Sequence, residues 1–154
     1  MFFSPVRWAE TCTTPDFIRD DVKKKSRSQK SGLAYERKVV KYLKSQYGDG
    51  CIPGQWIAYS TNDSNPGYPR FCQTDAILLF EKRLVVIEVK LTHKPEAEEK
   101  LRFLYGPAAQ KIWPREELSL VQITKNLEAG DEAPTEITQL PSLKEDYTLI
   151  HWRP

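Results

Sequence analysis

The chain has 154 residues, 40% hydrophobic and 29% charged, with a formal net charge of +2, a size that suits one domain with a real core. Its longest apolar run, Ala76 to Phe80, is far shorter than the ~20 residues of a membrane-spanning helix, and the start shows no signal peptide, so a cytoplasmic or other intracellular location is expected. Cys12, Cys51 and Cys72 are odd in number and lack a CxxC pair, and His93 and His151 lie far apart, which excludes a disulfide scaffold, a zinc ribbon and a histidine-based metal site.

The small net charge is unevenly spread. Val22 to Lys44 contains nine Lys or Arg against one acid, Glu36, a local charge of +8, so the rest of the chain carries −6. The stretch 126–146 alone holds six acids against Lys144. This layout points to a basic face that meets a polyanion.

Residues 1–30 contain Pro5, Pro15 and a basic cluster without periodicity, and read as an irregular arm ahead of a domain over 31–154. A helix is predicted from Ser31 or Gly32 to Gly48, with Leu33, Val40, Leu43 and Tyr47 on one face. Glu36 falls in that same stripe, where a carboxylate is costly unless paired or coordinated. Gln55–Ser60 has strand character, with Trp56 and Tyr59 read as core, and TNDSNPGYPR reads as an exposed loop. Two apolar strands, Phe71–Phe80 and Leu84–Leu91, are expected to pair as a central hairpin. Glu96 to Ile112 reads as helical with a break at Gly106-Pro107 and a new start there. Leu118–Thr124 and Tyr147–Trp152 complete the strands, on either side of the acidic stretch. The expected fold is a single α/β domain whose central mixed sheet is flanked by helices, in the order α-β-β-β-α-β.

The chemistry concentrates at one end of the hairpin. Side chains alternate along a strand, so Glu88 and Lys90 share a face, and antiparallel pairing puts Asp75 opposite them. Two carboxylates suit a hard divalent cation, which would acidify a bound water and offset charge on a phosphate. A lysine beside them can orient that water. The triplet E-x-K is common in so charged a chain, occurring at Glu36, Glu88 and Glu98, and only Glu88 ends a buried strand 13 residues after an aspartate.

On these residues the chain resembles the PD-(D/E)XK nuclease superfamily, whose restriction-endonuclease-like core has the same element order. The matching stretches are SGLAYERKVVKYL, CQTDAILLF and LVVIEVKLT, with AAQKIW a weaker fourth, all within residues 31–113. The pattern is most similar to Holliday junction resolvase-like and NERD-like members, the latter also through Gln73. The resemblance implies metal ligation by Asp75 and Glu88 with help from the Val89 carbonyl. It also implies water positioning by Lys90, an outer-shell role for Glu36, and Gln110 near the site. Two positions depart from the pattern: Thr74 stands where the family name has proline, and Pro114 where related exonucleases carry tyrosine.

The implied activity is Mg²⁺-dependent hydrolysis of DNA phosphodiesters, with Mn²⁺ able to substitute, in recombination, repair or restriction-type processing. A catalytically silent module that binds nucleic acid or protein is the alternative. Lys23, Lys24, Lys25, Arg27 and Lys30 of the arm, with Arg70, His93 and Lys94, are the candidate phosphate contacts. A branched substrate would suit a homodimer, and the acidic segment 126–146 would suit a protein partner.

Overall fold

The computed structural model describes residues 3–19, 26–64, 67–131 and 135–154. Strand β1 (Val6–Cys12) and a short helix α1 (Asp16–Arg19) precede the long helix α2 (Arg27–Tyr47). Strands β2 (Cys51–Pro53), β3 (Trp56–Thr61), β4 (Arg70–Gln73), β5 (Ala76–Leu79) and β6 (Arg83–Thr92) follow. Helix α3 (Pro95–Lys100), a π-helical turn (Leu101–Tyr105) and α4 (Gly106–Ile112) run on as one rod to β7 (Glu117–Asn126). A 3₁₀ segment (Ile137–Ser142) leads into β8 (Tyr147–His151).

The protein is a single α/β domain with a central mixed sheet of order β2-β5-β6-β7-β8. The β2, β5 and β6 pairings are antiparallel, and β6, β7 and β8 run parallel. Odd-numbered side chains of β6, Val85, Ile87 and Val89, pack with Tyr35, Val39 and Leu43 of α2. Even-numbered Leu84 and Val86 pack with Leu101 and Ala109 on the opposite face. Both faces are covered, so β6 reads as a nearly unbroken apolar run.

A second, antiparallel sheet, β1-β3-β4, was not foreseen. It corrects two expectations. The arm over 1–30 is partly a strand, because Val6–Cys12 adds to the edge of β3. The run Phe71–Phe80 is two strands in two sheets, β4 and β5, broken at Thr74-Asp75. The chain between β2 and β3 bends at the same level. Thr74 N–H donates to the Gln55 carbonyl at 3.1 Å, and Gly54 N–H to the Asp75 carbonyl at 3.0 Å. Gly54 adopts a positive φ of 59° at this corner. Two antiparallel ribbons thus turn together from one sheet into the other, and Asp75 lies on the bend.

Helix α2 begins at Arg27 rather than near Ser31. Ser26 and Gln29 form a reciprocal capping box: Gln29 N–H donates to Ser26 Oγ at 3.2 Å and Ser26 N–H to Gln29 Oε1 at 2.8 Å. Its buried stripe is Tyr35, Val39 and Leu43, rotated from the expected one. The Tyr35 hydroxyl makes this burial possible by donating to the Trp152 carbonyl at 2.8 Å. Glu36 therefore stands at the margin of the stripe, half-buried.

The helix over 95–112 does not break at Gly106-Pro107. Pro107 has no N–H and would crowd an α-helical carbonyl, and the preceding turn widens to π geometry to admit it. Gly106 N–H accordingly bonds back to the Leu101 carbonyl. No helix among the described residues is long and apolar enough to cross a membrane.

Candidate metal centre

Ala76 pairs with Ile87, so Asp75 and Glu88 occupy the next position of the β5–β6 ladder, where β5 ends. With no further β5 residue to accept it, Val89 N–H donates to Asp75 Oδ2 at 2.7 Å. The backbone group of Val89 that meets the acid is therefore its N–H.

Glu88 is buried, with 7% exposure. Its Oε1 faces Lys90 Nζ at 3.5 Å, and its Oε2 is buried with no hydrogen-bond partner. A buried carboxylate oxygen without a donor costs on the order of 1–3 kcal/mol, so the site carries an unmet demand for a cation or a proton.

Glu36 reaches the same point from α2 and interacts directly with Asp75. Burial pushes the Asp75 carboxyl up to about 7, helped by the charge of Glu88. Burial and the charge of Asp75 push Glu36 up to about 7 as well. Glu88 is also raised, by burial, against the lowering effects of Lys90 and Lys100. Three carboxyls crowded together cannot all ionise easily without a compensating charge. Their oxygen donors fit a hard divalent cation. Among the described residues, no three His, Cys, Asp or Glu side chains already stand as a ligand set.

Two residues that interact with Glu88 lie outside the expected set. Lys100, the last residue of α3, adds positive charge at Glu88. Tyr105 ends the π turn, where burial, then the negative charge of Glu88, holds its phenol above the ordinary range. Lys100 closes the E-x-K triplet at Glu98, which does not end a buried strand, Tyr105 belongs to no motif, and the rod over 95–112 delivers both.

Other expected site residues lie apart. Gln110 turns away: its amide donates to the Arg115 carbonyl at 2.7 Å, and it lines a different hollow with Phe3, Arg102 and Pro107. Helix α4 packs against β1 through Ala108, and Gln110 faces that separate hollow with its Oε1 buried and without a partner. His93 pairs with Asp131 at 2.8 Å across the start of the acidic stretch. Lys94 is exposed, while its backbone is gripped at both N–H and C=O by buried Gln122. Arg70 is exposed beside Tyr59 on the smaller sheet, and Arg27 and Lys30 are exposed in the first turn of α2. Lys23, Lys24 and Lys25 lie outside the described residues.

Glu36 and Asp75 open onto a groove of about 590 Å³ between α2 and the bend, bordered by Leu33, Arg37, Val40 and Lys41. No family model matches the chain, and no curated protein matches it significantly.

Proposed function

We propose that the protein is a divalent-metal-dependent nuclease that hydrolyses DNA phosphodiester bonds, with the endonucleolytic processing of recombination, repair or restriction as its context. The observation that carries this reading is the meeting of Asp75, Glu88 and Glu36 at the end of β5, with Glu88 Oε2 buried and unpartnered and Lys90 on the same face. Asp75 and Glu88 would hold Mg²⁺, and Glu36 would take an outer-shell water. When bound, the metal supplies charge neutralisation at the phosphate and a more acidic water.

The chain's own groups do the rest. Val89 N–H orients Asp75 by holding one oxygen, leaving the other for ligation. Lys90, 38% exposed at its side chain, can direct a water toward phosphorus and offset charge on the phosphoryl oxygens. Lys100 adds positive charge on the same side. The half-buried setting limits water and strengthens these interactions.

The test is cleavage of linear, nicked, flapped, single-stranded and four-way DNA in Mg²⁺ or Mn²⁺. Wild type should cut at least one substrate, and Asp75→Ala and Lys90→Ala should lose about 100-fold or more while staying folded. Equal cutting by either variant would sink the assignment. A second reading, a catalytically silent module binding nucleic acid or protein, is favoured by the lack of a preassembled ligand set among the described residues. Calorimetry separates the two: the nuclease reading expects Mg²⁺ or Mn²⁺ binding that Asp75→Ala abolishes, and the silent reading expects none.

A further inference from the structure

We propose that the groove along α2 is the track of an unpaired nucleic-acid strand running from the carboxylates toward the C-terminal half of that helix. The proposal rests on the nuclease reading for the identity of the polymer. Residues 33, 36, 37, 40, 41 and 44 recur at helical spacing and form one wall of the groove, and Pro53, Gly54 and Asp75 face them from the bend. The wall is of mixed character. Arg37, Lys41 and Lys44 run along it over about 10 Å of helix, with Val40 between them and Leu33 one turn before Arg37.

Each part suits a different portion of one ligand. The cations match a sugar-phosphate backbone, and among the described residues Glu36 and Asp75 are the acids of this lining, which keeps negative charge at one end. The apolar floor of Leu33, Val40 and Pro53 suits the exposed face of a base. In a duplex those faces are stacked inside, leaving the floor nothing to bury. At the far end Lys44 Nζ donates to the Cys51 carbonyl at 3.0 Å, which ties the helix to β2 and keeps the groove walls in place.

The opposite wall is built to stay open. Among the described residues its lining is Pro53, Gly54 and Asp75, and Gly54 holds a positive φ of 59° that L side chains rarely adopt, which disfavours a longer side chain in the path. Gln73 Nε2 donates to the Gly54 carbonyl at 3.0 Å and steadies this corner.

The experiment is fluorescence anisotropy of a labelled oligothymidylate and of an equally long duplex, in Ca²⁺, over a salt series. Wild type should bind the single strand at least about tenfold more tightly than the duplex. The double variant Arg37→Ala/Lys41→Ala should flatten the logarithmic salt slope by roughly 1.4, about 0.7 per lost phosphate contact. Val40→Ser should weaken strand binding about threefold or more without altering that slope, and Lys82→Glu, at the opposite end of β6, should change nothing. Circular dichroism melts on each variant separate loss of contact from loss of fold.

Equal affinity for strand and duplex, an unchanged double variant, or competition by oligoglutamate as effective as by unlabelled strand would each overturn the proposal, the last in favour of a protein partner. Parallel assays with Mg²⁺ keep the two readings distinct. Strand binding with this variant pattern but no cleavage of any DNA would retire the nuclease reading and leave the groove standing. Cleavage by wild type and double variant alike would do the reverse.

Discussion

Asp75 does its work by position. It is the first residue past the end of β5, close enough to accept the Val89 N–H that β5 no longer can, and near enough to Glu36 to share a proton. The raised carboxyls have a thermodynamic consequence with a definite sign. Folded Asp75 and Glu36 sit at about 7, above their unfolded values near 4, so between these limits the folded state binds more protons. The cluster's favourable contribution is complete below about pH 4 and is lost as pH rises through 7. Metal-free protein should therefore melt lower at pH 7.5 than at pH 5. An Asp75→Asn/Glu36→Gln variant should show a dependence flatter by about 5 °C or more in differential scanning calorimetry. Mg²⁺ should restore the wild-type loss at pH 7.5 and leave the variant unmoved.

This much of the site was legible in residues. Asp75, Glu88 and Lys90 follow from strand alternation and hairpin pairing, which are local rules. Glu36 announced itself as an acid among apolar neighbours, although the buried stripe of α2 is Tyr35, Val39 and Leu43. Gln110 faces a hollow apart from Asp75, because the orientation of α4 is set by packing on β1, a strand that local pattern does not reveal. Lys100 and Tyr105 were invisible for the same reason, since only the path of the rod brings them to Glu88.

At the level of elements, that path depends on two small devices. Gln122, fully buried on β7, accepts from Lys94 N–H at 2.8 Å and donates to the Lys94 carbonyl at 3.0 Å, and it also meets the Tyr147 hydroxyl. It clamps the connection between β6 and α3. Gln122→Leu would keep the volume but leave those backbone groups unpaired, and should cost about 3 kcal/mol in urea denaturation. Gly106 is the second device. A Cβ there would approach the Leu101 carbonyl and Leu120 Cδ2 to 2.7 Å each. In an ordinary helix Gly→Ala gains up to ~1 kcal/mol of propensity, but here the clash should win and Gly106→Ala should destabilise by about 2 kcal/mol.

The elements themselves were unevenly readable. The strands of the hairpin and β7 carry apolar runs long enough to recognise, whereas β1, with its Trp8-Ala9-Glu10 sequence, is an edge strand of mixed polarity. The division between β4 and β5 falls on the polar triplet Gln73-Thr74-Asp75, which reads equally well as part of one long strand, and the break is made by backbone hydrogen bonds to Gln55 and Gly54.

Across the whole molecule, the uneven charge acquires a shape. Three of the basic residues line the groove of α2. No described residue of the acidic stretch lines that groove; they are tied down elsewhere, Asp131 on His93 and Asp146 on Arg102 at 3.1 Å. Its 3₁₀ segment buries Ile137 and Leu140 in the core shared with α2. It is thus part of the fold, and Leu140→Ala should cost about 2–4 kcal/mol, measured as a lowered denaturation midpoint with unchanged slope.

The double bend between the sheets also says where the chain can grow. What holds Asp75 there is peptide bonded to peptide, Gly54 to Asp75 and Thr74 to Gln55, and the described residues joining β3 to β4 take no part in those bonds. Length can be added around Tyr68, which is 77% exposed, at the cost only of a slightly longer closed loop. An epitope or a second binding module spliced in after Tyr68 should leave metal affinity unaltered, while a single residue inserted after Thr74 should abolish it. The molecule would then accept new cargo a few residues from its acid centre, on a joint that does not transmit the strain.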